Sequence, residues 1–293
     1  MQWKIREELI MGVLQNKIDF TVLVTVNNAN PNGDPLNGNR PRTTYSGIGE
    51  ISDVCIKRKL RNRLQDAGEK IFVQSNDRCD DGCTSLNDRA TKNITDYVSN
   101  DDYANKACIT WFDVRAFGQV FAFKAKEKGK EGVSVGVRGP VSIHQALSIS
   151  TIDINSMQIT KSVNGEDGDK KGSDTMGSKH MVEFGLYRIK GSINVQLAEK
   201  TGFSEADAEK IKESLRTLFT NDSSSARPDG SMEVIKVYWW KHNNKCGQYS
   251  SAKVHNSLIV TLKDNVSIPT SFEDYDVRIE SLEGLEPEVI DGI

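Results

Sequence analysis

Lys57, Arg58, Lys59, Arg61 and Arg63 fall within seven consecutive residues. On a helix, Lys57 and Arg61 are four apart and Arg58 and Arg61 three apart, so these three share a face. Just upstream lies NPNGDPLNGNRPR (30–42), which carries Arg40 and Arg42. Asn32-Gly33 and Asn37-Gly38 favour positive φ, and Pro31, Pro35 and Pro41 stiffen the chain between them. A loop with so little side-chain bulk lets backbone amides and guanidinium forks come close to phosphate. The chemistry on offer is the gripping of a polyanion. Its candidate groups are Asn32, Gly33, Asn39, Arg40 and Arg42 of the loop and Lys57, Arg58 and Arg61 of the helix. A surface turn followed by a solvated helix is the bland alternative.

Other chemistries have weaker signals. Asp34 sits in the same loop and could serve a Mg²⁺-dependent ribonuclease, but such a centre wants converging carboxylates and no second one is near in sequence. Lying between Gly33 and Pro35, Asp34 also suits a loop-shaping Asx turn. GSDTMGSK (172–179) nearly spells a phosphate-binding loop, yet Ser precedes Lys where that motif needs the reverse. Cys79 and Cys83 have the spacing of half a zinc site with no second half. The histidines (His144, His180, His242, His255) show no paired-ligand spacing, and His144 and His255 read as satisfied within strands. Tyr238, Trp239 and Trp240 could stack on bases, but alternate residues of a strand face a core, so at least one packs inward. No motif requires a cofactor.

The elements that must position these groups read as follows. Residues 18–26 (IDFTVLVTV) form a buried strand. A helix runs from Ser52 or Asp53 to about Ala67, closed by Gly68, with Val54, Cys55, Leu60 and Leu64 on its apolar side. A second short strand is expected at 71–73. Residues 77–106 are polar with little periodicity and read as an inserted excursion. Strand and turn are expected at 109–123, a charged loop or hairpin tip at 124–131, and renewed order at 133–150. A second excursion at 164–177 interrupts a strand pair that ends in 182–195. Ser204 opens the strongest helix, with Phe203 as a hydrophobic staple and Ala208, Ile211, Leu215 and Leu218 on one face. Strands follow at 232–240 and 254–262. Few helices among antiparallel-compatible strands suggest an α+β, ferredoxin-like sheet, the class in which RNA-recognition modules present an open sheet.

Composition sets the frame. The 293 residues suffice for one large domain with insertions or two small ones, and 37% of them are apolar. Mean hydropathy is −0.49. No stretch approaches the roughly 20 apolar residues that span a bilayer, and MQWKIREELI lacks the apolar run of a secretory signal. A cytoplasmic location with reduced thiols is expected. Net charge is −3, but residues 264–293 hold nine acids against Arg278 alone, leaving a basic body ahead of an acidic end.

The order of motifs resembles one family. NPNGDP, then GNRPR, then SDVCIKRKLRN resembles the opening of the type I-C CRISPR Cascade backbone subunit. The likeness continues through WFDVRAFG (111–118), VRGPV (137–141), TMGSKHMVEFGLY (175–187) and LAEKTGFSEAD (197–207). It extends more loosely to SSSARPDGSM and YWWKHNNKCGQYSSAKVHN. Ser178 departs from it, since Arg is usual there, and so does Pro228-Asp229-Gly230, where a simple Gly is usual.

The resemblance implies a non-enzymatic RNA-binding subunit that polymerises along CRISPR RNA and supports target DNA recognition by guide pairing. Implied partners are other copies of itself, a large subunit and a precursor-RNA-processing subunit. The implied fold is a modified ferredoxin-like RNA-recognition palm with a finger-like insertion and a thumb hairpin. By position, the palm comprises 1–76, 107–158 and 183–263, the finger 77–106, the thumb 159–182, and the acidic segment 264–293. Arg115, Arg138, Met176, Lys179 and His180 join the RNA-binding set on the same ground. Such a subunit must read backbone and shape, because it holds any guide sequence.

Overall fold

The computed structural model describes residues 12–123, 132–160 and 176–293. The strands are β1 (Ile18–Ala29), β2 (Gly33–Asp34), β3 (Arg40–Pro41), β4 (Ile48–Ile51), β5 (Gly118–Phe123), β6 (Val133–Arg138) and β7 (Val141–Ile143). They continue with β8 (Ala146–Thr151), β9 (Ile154–Thr160), β10 (Met176–Ile193), β11 (Met232–Lys241), β12 (Leu258–Leu262), β13 (Tyr275–Ile279) and β14 (Glu288–Asp291). The helices are α1 (Asp53–Asp66), α2 (Leu86–Asn93), α3 (Asn100–Thr110), α4 (Phe112–Phe117), α5 (Val195–Thr201), α6 (Glu205–Arg216) and α7 (Ser251–Ser257). The fold is mixed α/β around one large antiparallel sheet.

That sheet runs β14-β11-β1-β10-β8-β4, with β7 and β9 also paired to β10. β1 lies at its centre and is buried on both sides, so its alternate residues serve two cores. Phe20, Val22, Val24 and Val26 face α1 and α6, whose Leu60, Leu64, Ile211 and Leu215 complete the first core. Leu23 faces the other way, into a second core with Leu186, Tyr238, Trp240, Val254, Leu258, Tyr275, Leu282 and Leu285. The acidic end is thus built into the fold: β13 pairs with β12, β14 pairs with β11, and its apolar residues cover the sheet's second face.

Both long helices start as their sequences dictate. Ser52 caps α1 through Cys55 N–H, and Ser204 with Asp207 forms a capping box on α6, each cap contributing about 1 kcal/mol. Phe203 is fully buried at the staple position. α1 differs from its expected face, however. Val54 is exposed, whereas Ile56 and the cationic Lys59 are buried with Leu60 and Leu64.

The polar stretch 77–106 folds as α2 and α3 over a third core of Phe72, Tyr103, Trp111, Val114 and Phe121, completed by the β5–β6 hairpin. Phe72 lies 4.7 Å from Trp111 and 5.1 Å from Phe121 between ring centroids. Aromatic side chains bury roughly 150–250 Å² each, which is how so polar a segment holds together. Three expected strands are corrected. Residues 71–73 pair with no strand, because the Asp113 carboxylate captures the N–H groups of Phe72 (2.7 Å) and Val73 (3.0 Å). Residues 109–117 are mostly helical: Ala107, Cys108, Trp111 and Val114 follow a helical spacing into the third core. Residues 251–257 form α7, capped by Ser250, and only then does β12 begin.

Candidate nucleic-acid interface

The Asn/Gly loop is held by its own polar groups. Asn30 Nδ2 donates to Asn39 O at 2.7 Å, and Asn32 Oδ1 accepts from Ser52 N–H at 2.9 Å, tying the loop to the start of α1. Asn39 takes φ +60°. At Gly33 an added Cβ would lie 2.1 Å from Asn39 Oδ1 and 2.9 Å from its carbonyl oxygen, so any larger residue displaces the loop. Asn32, Gly33 and Asn39 therefore shape the loop. Asp34 accepts from Leu36 N–H at 3.2 Å and faces Arg42 Nη2 at 3.6 Å, the Asx-turn arrangement. Among the described residues no group of three His, Cys, Asp or Glu side chains could hold a metal ion.

The candidate cations divide by partner. Lys57 pairs with Asp53 at 3.0 Å. Arg61 donates Nε to the buried Asp113 at 2.8 Å and lies over the Phe117 ring. Lys59, fully inside, pairs with Asp222, and burial pushes its ammonium below the usual range despite that partner. Arg115 is turned inward: its fork holds Asp207 through Nε at 3.0 Å and Nη2 at 2.8 Å, and its plane covers Phe112. The resemblance groups Arg115 with the RNA contacts; here its donors are engaged within the fold, because α4 brings it against the N-terminal turn of α6. Arg40, Arg58, Arg138 and Lys179 have no ion pair among the described residues. For Arg58, burial and the neighbouring Arg61 lower its affinity for its proton, and its Nη1 is buried without a hydrogen-bond partner. Arg138 is exposed at the end of β6.

Two candidates distant in sequence meet in space. β9 pairs with the first part of β10, so that Ser156 opposes His180 and Met157 opposes Lys179. Beyond Ile154 every residue of β9 is exposed, on both faces of the ribbon. At the base of this ribbon Arg40 Nη1 donates to Ser156 Oγ at 2.6 Å and lies 3.5 Å from His180 Nδ1, which is 2.9 Å from Ser156 Oγ. Farther out, Met157, Ile159 and Met176 are exposed apolar side chains, and Gln158 Nε2 reaches the Met176 sulfur at 3.0 Å. Most of the expected thumb, 161–175, lies outside the described residues, as does the opening of the phosphate-loop-like 172–179. The expected hairpin tip at 124–131 does too.

The remaining expectations resolve into packing. Trp239 stacks on Phe20 at 5.4 Å in the first core, and Tyr238 and Trp240 fill the second, so all three aromatics are internal. His255 lies on α7, not on a strand, with Nε2 2.9 Å from Gly191 O, and His144 lies in the turn between β7 and β8. Cys79 donates its thiol hydrogen to Cys83 O. Sequence reading missed Ser156, an ordinary residue of an ordinary strand. It also missed Leu36, on a short 3-10 turn of helix, and Tyr45, both wholly exposed and close in sequence to Arg40 and Arg42; only the turn residues around them hinted at their position.

Comparison with known proteins follows the same line. The family profile of CRISPR-associated protein Cas7 matches residues 16–280. A CRISPR-associated protein Cas7 from Haloferax volcanii is 26% identical over 211 residues, 67% of this chain and 62% of the relative, so the match spans under two thirds of that protein. Two solved chains align with 15% identity: one described as a CRISPR RNA-guided surveillance complex, pre-nicking (TM-score 0.47, 80% of this chain and 81% of that one), the other as a CRISPR RNA-guided surveillance complex (TM-score 0.42, 76% and 68%). No helix among the described residues is long and apolar enough to cross a membrane. With a family match running from the start of the central strand to the end of the acidic hairpin, the chain belongs to the Cas7 family of CRISPR-associated proteins.

Proposed function

We propose that this chain is the backbone subunit of a type I-C surveillance complex, several copies of which lie side by side along one CRISPR RNA in the cytoplasm. In this reading the large sheet with α1 and α6 is a modified ferredoxin-like palm. The α2–α3 insertion is its finger and the β9–β10 ribbon the base of its thumb. The subunit is not an enzyme. It meets target DNA through guide pairing, and its protein partners are further copies, the large subunit and the precursor-RNA-processing subunit.

The observation that carries this reading is the meeting of loop and ribbon: Arg40, with no carboxylate partner among the described residues, faces His180 and Ser156 beside a ribbon of exposed apolar side chains. Cations without acids suit phosphates, and exposed apolar groups suit base faces. Asp34 supports the non-catalytic reading, since a backbone amide and Arg42 already occupy it.

The test is titration of the purified protein with two single-stranded RNAs of unrelated sequence at two salt concentrations, with Mg²⁺ present. Equal, salt-sensitive binding with intact RNA is expected. Shortened RNA would replace this reading with a ribonuclease using Asp34, and absence of binding would reject both.

A further inference from the structure

We infer that Ser156 is a positioning residue that fixes the tautomer of His180 and so presents a paired donor set, the Arg40 fork and the His180 Nε2–H, to one phosphodiester group. The inference rests on the RNA-backbone reading for the identity of that group; the geometry stands by itself.

Arg40 is a donor only, carrying N–H bonds and no lone pair for hydrogen bonding. Its Nη1 lies 2.6 Å from Ser156 Oγ and 3.5 Å from His180 Nδ1. A hydrogen on Nδ1 could reach Ser156 Oγ at 2.9 Å only by crowding this cationic donor. Nδ1 is therefore the bare, accepting nitrogen, and the imidazole proton is on Nε2. Ser156 Oγ, already accepting from Arg40, turns its own hydrogen to Nδ1 at 2.9 Å. One hydroxyl thus links a guanidinium to an imidazole and leaves the Nε2–H without a protein acceptor among the described residues.

The surroundings favour an anion as the ligand. Asp34 is the cross-strand neighbour of Arg40, but it faces Arg42. On the same face of the ribbon the next pair outward is Gln158 with Ser178, both uncharged, and the pair inward is Ile154 with Val182. Lys179 belongs to the opposite face by alternation. A guanidinium with no acid partner among the described residues, next to an imidazole N–H donor, matches a phosphate oxygen pair.

Two measurements test this together. Ring ¹⁵N–¹H correlation of histidine-labelled free protein, with His180→Gln to assign the signals, should report the Nε2–H tautomer in the wild type. Ser156→Ala should lose that fixed form. RNA titration should show Ser156→Ala binding about five- to tenfold more weakly, the effect of about one ordinary hydrogen bond, because the hydroxyl that holds Arg40 and His180 in place is gone. Ser156→Thr, which keeps the hydroxyl, should stay close to wild type. Ser156 is exposed, so neither variant opens a core. An Nδ1–H ring, or Ser156→Ala binding like wild type, overturns the inference. A wild type that binds no RNA overturns the backbone reading and the phosphate role with it; the free-protein tautomer tells the two failures apart.

Discussion

The Arg115 guanidinium grips the Asp207 carboxylate with two parallel hydrogen bonds, Nε to Oδ2 at 3.0 Å and Nη2 to Oδ1 at 2.8 Å. The same carboxylate accepts from Ser204 N–H at 2.9 Å, closing the capping box of α6. One side chain thus ties α4, which packs on the third core, to the helix layer of the sheet. Arg115→Lys loses the bidentate geometry, and we expect a stability loss of about 2 kcal/mol in urea unfolding. RNA affinity of the folded variant should be unchanged. A large loss of affinity without loss of stability would return Arg115 to the interface.

The same pair sets a pH dependence. Burial works to raise the Asp207 carboxyl, but hydrogen bonds and charge from Arg115, with Ser204, outweigh it and hold the group below the ordinary carboxylate range. A carboxylate with a depressed folded value stabilises fully above its unfolded value, and that contribution is lost as pH falls through the folded one. The urea midpoint of the wild type should therefore fall between pH 5 and pH 3 (about the window around an unperturbed Asp) more steeply than that of Asp207→Asn. Parallel slopes would contradict the assignment.

Lys59 and Asp222 form a pair inside the fold, between α1 and the turn before β11. Asp222→Ala strands the buried Lys59 and should cost roughly 3 kcal/mol, whereas Lys59→Ala leaves Asp222 its Arg227 partner at 3.1 Å and should cost less; the double variant should cost less than the sum. Additive losses for these two substitutions, made singly and together, would mean the pair is not coupled.

Much of this architecture was legible in the sequence, because its signals are local. β1 is a run of β-branched and aromatic residues, and α6 has its cap, staple and 3.6-residue stripe. Loop 30–42 has its Asn-Gly pairs. The failures share a cause: tertiary partners override local pattern. Phe72 and Val73 resemble a strand but give their N–H groups to Asp113, forty residues away in sequence. Lys59 looks like one more surface cation in a basic run, and only the position of Asp222 makes it internal. The polar run 77–106 hides a core because its own contributors, Tyr103 among them, are spaced among charges and Phe72, Trp111 and Phe121 come from its flanks. For the site, the sequence marked the arginine loop and His180 separately. Their meeting depends on β9 pairing with β10, and no spacing rule gives Ser156.

The division of cations also makes a ranking. Arg40, Arg58 and Lys179 lack acid partners among the described residues, whereas Lys57 and Arg61 have Asp53 and Asp113. Alanine at the first three together should weaken binding to all RNA sequences. It should also flatten the slope of log K against log salt by about 0.7 for each phosphate left without its cation. Lys57→Ala should change the slope little. An equal effect from Lys57→Ala would show that its ion pair opens on binding.

Gly33 offers a test of the loop alone. Gly33→Ala forces the added methyl against Asn39, so RNA affinity should fall while the unfolding midpoint moves by less than that of Lys59→Ala. Unaltered affinity would mean that the loop conformation is not needed for binding.

The central claim, a backbone subunit laid repeatedly along one RNA, is tested most directly by light scattering behind a sizing column, with and without single-stranded RNA of guide length. The RNA-bound mass should rise in steps of one 32.6 kDa chain as protein is added, on RNA that stays intact. A mass that never exceeds one chain per RNA, or protein that elutes apart from the RNA, would contradict it.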